Sequence, residues 1–139
     1  MANTTVGAIV YTKGEKNIKV LLTKRNIDPF KNYWCLPGGH IDPYENAEAA
    51  VIREVKEETN IDINPKFLTY MDEIFPELKI HNVVLMYFGN AKGKVEADPK
   101  EVSETGWFSL EEAGKLELAF NHNKALSVFR DFIQENEIS

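Results

Sequence analysis

Glu54, Glu57 and Glu58 stand at i, i+3 and i+4 in a stretch, Ala47 to Thr59, that reads as an amphipathic helix. At about 100° per residue from Ala47, Glu57, Glu54 and Glu58 fall near 280°, 340° and 20°, while Val51, Ile52, Val55 and Thr59 cover the flank from about 40° to 140°. One flank of the helix can pack and the other presents carboxylates. Acids so crowded repel one another, and Lys56 points elsewhere, near 180° by the same count. A hard divalent cation converts that repulsion into attraction, because Mg²⁺ or Mn²⁺ prefers carboxylate oxygens and keeps positions for water and phosphate. A solvated acidic face fits the same three residues taken alone. Ala47 and Ala50 lie among the acids, and their small side chains are expected to leave room for a ligand.

A glycine-rich stretch, Gly38-Gly39-His40-Ile41-Asp42-Pro43-Tyr44-Glu45, leads into this helix. From Gly39 to Ile61 the chain resembles the Nudix box: Gly39, Glu45, Arg53, Glu54, Val55, Glu57, Glu58 and Ile61 match it in register. Asn60 alone departs, standing where the box has the glycine that closes the helix, and Asn is the next best residue for positive φ. Upstream, Trp34-x-Leu36-Pro37-Gly38-Gly39 is similar to the approach usual in that family. The resemblance implies an α+β fold, a Nudix-type α/β/α sandwich with a mixed sheet between helices. It also implies a metal-dependent hydrolase that cleaves a diphosphate linkage. By the same resemblance Glu54, Glu57 and Glu58 would ligate Mg²⁺, or Mn²⁺, with the Gly38 carbonyl. Arg53 would orient Glu57 and pair with Glu45. Glu54 would accept the proton of the attacking water, and Glu101 or Glu104 is the alternative base or extra ligand.

For the substrate, Lys24-Arg25-x-x-Asp28-Pro29-Phe30, Leu118-Ala119-Phe120-Asn121-His122 and Pro76 resemble stretches of the ADP-ribose pyrophosphatase branch. Arg25, Phe30, Gly39 and Pro76 are the expected substrate contacts, with Lys24 beside Arg25, and Phe30, Phe75 or Tyr87 is expected to stack on a base. ADP-ribose or a related nucleotide sugar comes first. The MutT-like alternative removes pyrophosphate from nucleoside triphosphates, and a non-catalytic nucleotide sensor is the second alternative. His40, His81 and His122 are too scattered to form a metal set and read as ordinary surface or core residues.

The elements that must position these groups follow from periodicity. Thr5–Tyr11 and Ile18–Lys24 read as a hairpin, Trp34–Leu36 as a short extended piece, and Lys66–Ile74, Ile80–Phe88 and Glu104–Phe108 as strands, with a turn near Pro76. Ser109 is expected to cap a short helix over Leu110–Ala113, and Asn121 the last one, whose apolar face runs from Ala125 to Ile133. The 139 residues are 43% apolar and 27% charged and carry no repeat, so one domain over 1–139 is expected. Net charge is −6, yet residues 1–40 hold six of the sixteen Lys and Arg against Glu15 and Asp28. Such a basic segment facing an acidic one suits a small phosphorylated ligand with a cation, and argues against a nucleic-acid polymer. Lone Cys35 excludes an internal disulfide, and the absence of a long apolar run or signal pattern predicts a cytoplasmic protein with no membrane partner. A homodimer is left open.

Overall fold

The computed structural model describes residues 1–136, so the last three residues of the expected 1–139 domain lie outside it. Its elements are β1 (Asn3–Lys13), β2 (Ile18–Arg25), β3 (Trp34–Cys35), β4 (Gly38–His40), α1 (Ala47–Thr59), β5 (Lys66–Phe75), β6 (Ile80–Asn90), β7 (Val102–Ser109), α2 (Leu110–Gly114) and α3 (His122–Asn136). The sheet is mixed: β1 pairs parallel with β6 along nine residues, and every other pairing is antiparallel.

Alternation along β1 splits the core into two layers. Val6, Ala8 and Val10 pack with Leu21 under Ala50, Val51 and Val55 of α1. Ile9 and Tyr11 face the other way, toward Leu126 and Phe129 of α3. The result is an α+β sandwich with the sheet between α1 and the α2–α3 pair, as the resemblance implies.

The first two strands diverge, and this makes the site. β2 pairs with β1 only from Ile18 to Val20, and its continuation at Thr23 and Lys24 pairs with β3. On β1 the corresponding edge at Thr5–Gly7 pairs with β4. Pro37 links the two short strands, its carbonyl accepting from Ala8 N at 3.0 Å. The glycine pair that opens the glycine-rich stretch is therefore strand. Gly38 must lack a side chain there, because a Cβ would collide with the Val6 carbonyl.

Local caps fix the ends of α1. The Asn46 side chain accepts from Ala49 N at 2.8 Å, and Asn60 adopts φ 65° with its N–H on the Lys56 carbonyl. Asn60 thus takes the left-handed conformation for which the box uses glycine. Ser109 and Glu112 form a reciprocal capping box at α2, which holds Glu112 below the usual carboxylate range. The expected Asn121 cap is not formed: Asn121 has φ 65° and closes a 3₁₀ turn over Ala119–Asn121. Asn123 ties that corner instead, accepting from Leu118 N at 3.0 Å and donating to the Leu116 carbonyl at 2.8 Å.

Candidate active site

Arg53 is the hub of the α1 surface. Its Nε and Nη2 donate to the two Glu45 oxygens at 2.8 and 2.9 Å, and Nη2 also reaches the His40 carbonyl at 3.0 Å. The same side chain donates through Nη1 to Glu54 at 2.9 Å and to Glu57 at 3.3 and 3.4 Å. A bidentate pair and a carbonyl contact clamp the loop after β4 onto the helix, with geometry only a guanidinium supplies. The Arg53 guanidinium, helped by a backbone hydrogen bond at Asp42, brings the Glu45 pKa down to about 2.

The three helix acids do not share one environment. Glu58 is 6% exposed and accepts from Gly38 N at 3.2 Å. Burial, and then the charge of Glu54, push its pKa well above the usual carboxylate range; burial also raises that of Glu54. Glu57 is turned to Arg53 and to solvent, its side chain 56% exposed. Ala50, expected to leave room for a ligand, is fully buried against the sheet instead. Its size lets α1 approach β1 closely. The small residue that does give way to the acids is Gly39, whose absent Cβ would stand 2.5 Å from Glu54 Oε2.

A cavity of about 500 Å³ opens beside these groups, between the splayed strands. Gly38, Gly39, Glu54 and Glu58 line it, and Glu101, in the turn before β7, lines it with them. Glu104 does not: it sits in β7 opposite Lys24 and is exposed. Among the described residues no three His, Cys, Asp or Glu side chains form a ready-made metal cage. Mg²⁺ does not require one, since it keeps several waters and takes phosphate oxygens. Two desolvated carboxylates with raised pKa values, the exposed Glu101 and the Arg53-bound Glu57 fit a hard cation, which would compete with the protons of the first two.

Of the expected substrate contacts, Arg25 lines the cavity, its guanidinium 4.8 Å from the Phe120 ring centre and its Nε donating to the Pro29 carbonyl at 2.7 Å. Phe30 is one layer back, packed edge-on against Phe120 at 4.8 Å and Phe75 at 5.6 Å. Neither Phe30 nor Pro76 lines the cavity, whereas Phe120 does. Tyr87 lies on the α1 side of the sheet, against Phe67. The three histidines, read as unrelated, all line the cavity. His122 lies 3.5 Å from Glu73, and both residues are buried. Glu73 occupies the inward register of β5 shared by Met71, and a carboxylate at such a position is the sequence sign that would have drawn attention to it.

The NUDIX domain family model matches residues 1–129. The chain is 31% identical over 121 residues to the ADP-ribose pyrophosphatase of Methanocaldococcus jannaschii, covering 86% of this chain and 69% of that protein. It is 30% identical over 131 residues to the ADPR responsive transcriptional repressor of Acinetobacter baylyi, covering 88% of this chain and spanning half the length of that relative. Among solved structures, the NUDIX domain of Shewanella oneidensis NrtR complexed with ADP ribose superposes with a TM-score of 0.86 at 26% identity, covering 96% of this chain and 89% of that one. Similar identities link it to a candidate 8-oxo-dGTP diphosphatase of Bacillus subtilis and to NAD-capped RNA hydrolases.

Proposed function

The chain belongs to the Nudix family, and we propose that it is a metal-dependent pyrophosphohydrolase whose substrate is a nucleoside diphosphate joined to a sugar, ADP-ribose first. One observation carries this reading: Glu54, Glu58 and Glu101 line the same cavity of about 500 Å³ as Arg25 and Phe120. The likeness to an ADP-ribose pyrophosphatase and to a domain bound to ADP ribose supports the choice of substrate.

When bound, Mg²⁺ or Mn²⁺ supplies charge neutralisation for the bridging phosphates and lowers the pKa of a bound water. Glu54, Glu57 and Glu58, with the Gly38 carbonyl, would hold it. Glu54 is the proposed acceptor of the water proton, since its carboxylate faces the cavity and is held at one oxygen by Arg53. Glu101 shares the cavity and is the alternative acceptor; Glu104, away from it, is not retained in that role. Arg53 keeps the loop and helix in register. Arg25 offers a fixed positive charge to phosphate, and Phe120 an aromatic face to a base or sugar.

The deciding experiment is a substrate panel with Mg²⁺, read by chromatography: ADP-ribose, other nucleotide sugars, diadenosine polyphosphates, NAD-capped RNA, NTPs and 8-oxo-dGTP. AMP with ribose 5-phosphate is the expected product pair. Triphosphates consumed with higher kcat/KM, releasing pyrophosphate, would replace this substrate by the MutT-like one. Likeness to the repressors favours one second reading, a ligand sensor. Submicromolar ADP-ribose binding without product from any substrate would establish that reading instead.

A further inference from the structure

Glu73 is a buried carboxylate for which the reaction has no use. It is 4% exposed, on β5, and lines the cavity along with Asn82 and His122. Asn82, its register partner on β6, donates to Oε1 at 3.1 Å. His122 is 7% exposed, and its Nδ1 accepts from Leu36 N at 3.0 Å. A ring that accepts at Nδ1 is neutral and carries its proton on Nε2, which faces Glu73 Oε2 at 3.5 Å. The carboxylate is thus held by one amide and one distant imidazole N–H, both uncharged. A carboxylate accepts about four hydrogen bonds, so acceptor capacity is left over toward the cavity. Burial of such a group without full pairing is costly, and a ligand bringing donors repays the cost.

Resting on the proposed diphosphate chemistry, we propose that Glu73, positioned by Asn82 and His122, is a specificity-determining acceptor for the hydroxyls of the sugar that the diphosphate joins to the nucleoside. The acids of α1 and Glu73 belong to one cavity. A nucleoside diphosphate derivative carries its anionic phosphates in the middle and neutral donors at both ends. A nucleoside triphosphate instead ends in a phosphate on one side, which a buried carboxylate repels. The same residue thereby selects for the first class and against the second.

The test compares wild type and Glu73→Gln on ADP-ribose, its inosine counterpart and ATP, each with Mg²⁺. The ADP-ribose to ATP ratio of kcat/KM is expected to fall by about tenfold or more, chiefly through KM for ADP-ribose. ADP-ribose and its inosine counterpart are expected to weaken alike; a loss confined to the adenine nucleotides, ATP included, would make the partner the exocyclic amine and overturn the proposal. A ratio unchanged within about twofold overturns the proposal. Should Glu73→Gln not fold, Asn82→Ala, which releases the carboxylate from its anchor, is expected to raise KM for ADP-ribose, and an unchanged KM overturns it equally. Absence of turnover on any substrate counts against the pyrophosphohydrolase reading alone. Equilibrium dialysis of ADP-ribose then decides this one: weaker binding by Glu73→Gln supports it, while equal affinity, or no binding by either protein, overturns it.

Discussion

The Glu54 carboxylate occupies the space that a side chain on Gly39 would take, with Oε2 2.5 Å from where a Cβ would be. Strand β4 and helix α1 thus meet through a glycine on one side and an acid on the other. Gly39→Ala is expected to push Glu54 out of its position while leaving both elements folded. Turnover should drop by about 10- to 100-fold, with the thermal midpoint within a few degrees of wild type. Steady-state kinetics beside a melting curve check this, and an unaffected kcat would show that the displaced carboxylate is not part of the chemistry.

Arg53 and Glu45 give a pH signature. The guanidinium holds the Glu45 pKa down to about 2 from an ordinary 4.5. A carboxylate depressed in the folded state stabilises above its unfolded value, and the contribution is lost as pH falls through the folded one. Wild type should therefore lose stability between about pH 4.5 and 2 in a step that Glu45→Gln lacks, the two curves converging at the acid end. Arg53→Lys should remove the same step, because an ammonium cannot reproduce the bidentate pair, and adding Glu45→Gln to Arg53→Lys should cost little further.

Glu58 has the opposite sign. Its pKa is raised by burial and by Glu54, so without a cation the folded state binds the proton more tightly than the unfolded chain, and stability falls as pH rises past the ordinary value. In chelator, Glu58→Gln is expected to melt about 3–6 °C above wild type near neutral pH, the gap closing toward about pH 4.5. Mg²⁺ should raise the midpoint of wild type more than that of the variant, and chelation should abolish turnover without unfolding the protein. A variant that melts lower under all conditions would make Glu58 a structural support and remove it from the metal set.

How much of this is legible in the chain depends on how far apart the cooperating residues lie. The bounds of α1 are local: Asn46 and Asn60 flank the apolar period directly, and both ends form where that pattern puts them. The Arg53 and Glu45 pairing spans eight residues and is carried by the box. β4 is different, because glycines have little strand preference and Gly38–His40 become a strand only by register with Thr5–Gly7. Ala50 looks like an opening on a helical wheel, yet the sheet fills the space beside it, which a wheel cannot show. His122 reaches Glu73 from 49 residues away and Leu36 from 86, so no spacing rule joins them.

Cys35 tests the mechanism by a separate route. Its thiol lines the cavity but is buried, with Sγ 3.5 Å from Thr23 Oγ1, and burial pushes its pKa up to about 11. The thiolate is the reactive form, and near pH 8 only roughly a thousandth of this thiol would be ionised, against about a quarter of an ordinary cysteine. Alkylation by iodoacetamide in the native state should then run at least about a hundredfold slower than in denaturant, with a rate that rises about tenfold per pH unit toward 11. Rapid native labelling near neutral pH would mean a depressed pKa and a thiol poised to act as nucleophile. Cys35→Ala should keep metal-dependent turnover within about threefold at some cost in stability, because hydrolysis in this cavity is assigned to an activated water. Loss of turnover by a fully folded Cys35→Ala protein would require a covalent intermediate in place of that water.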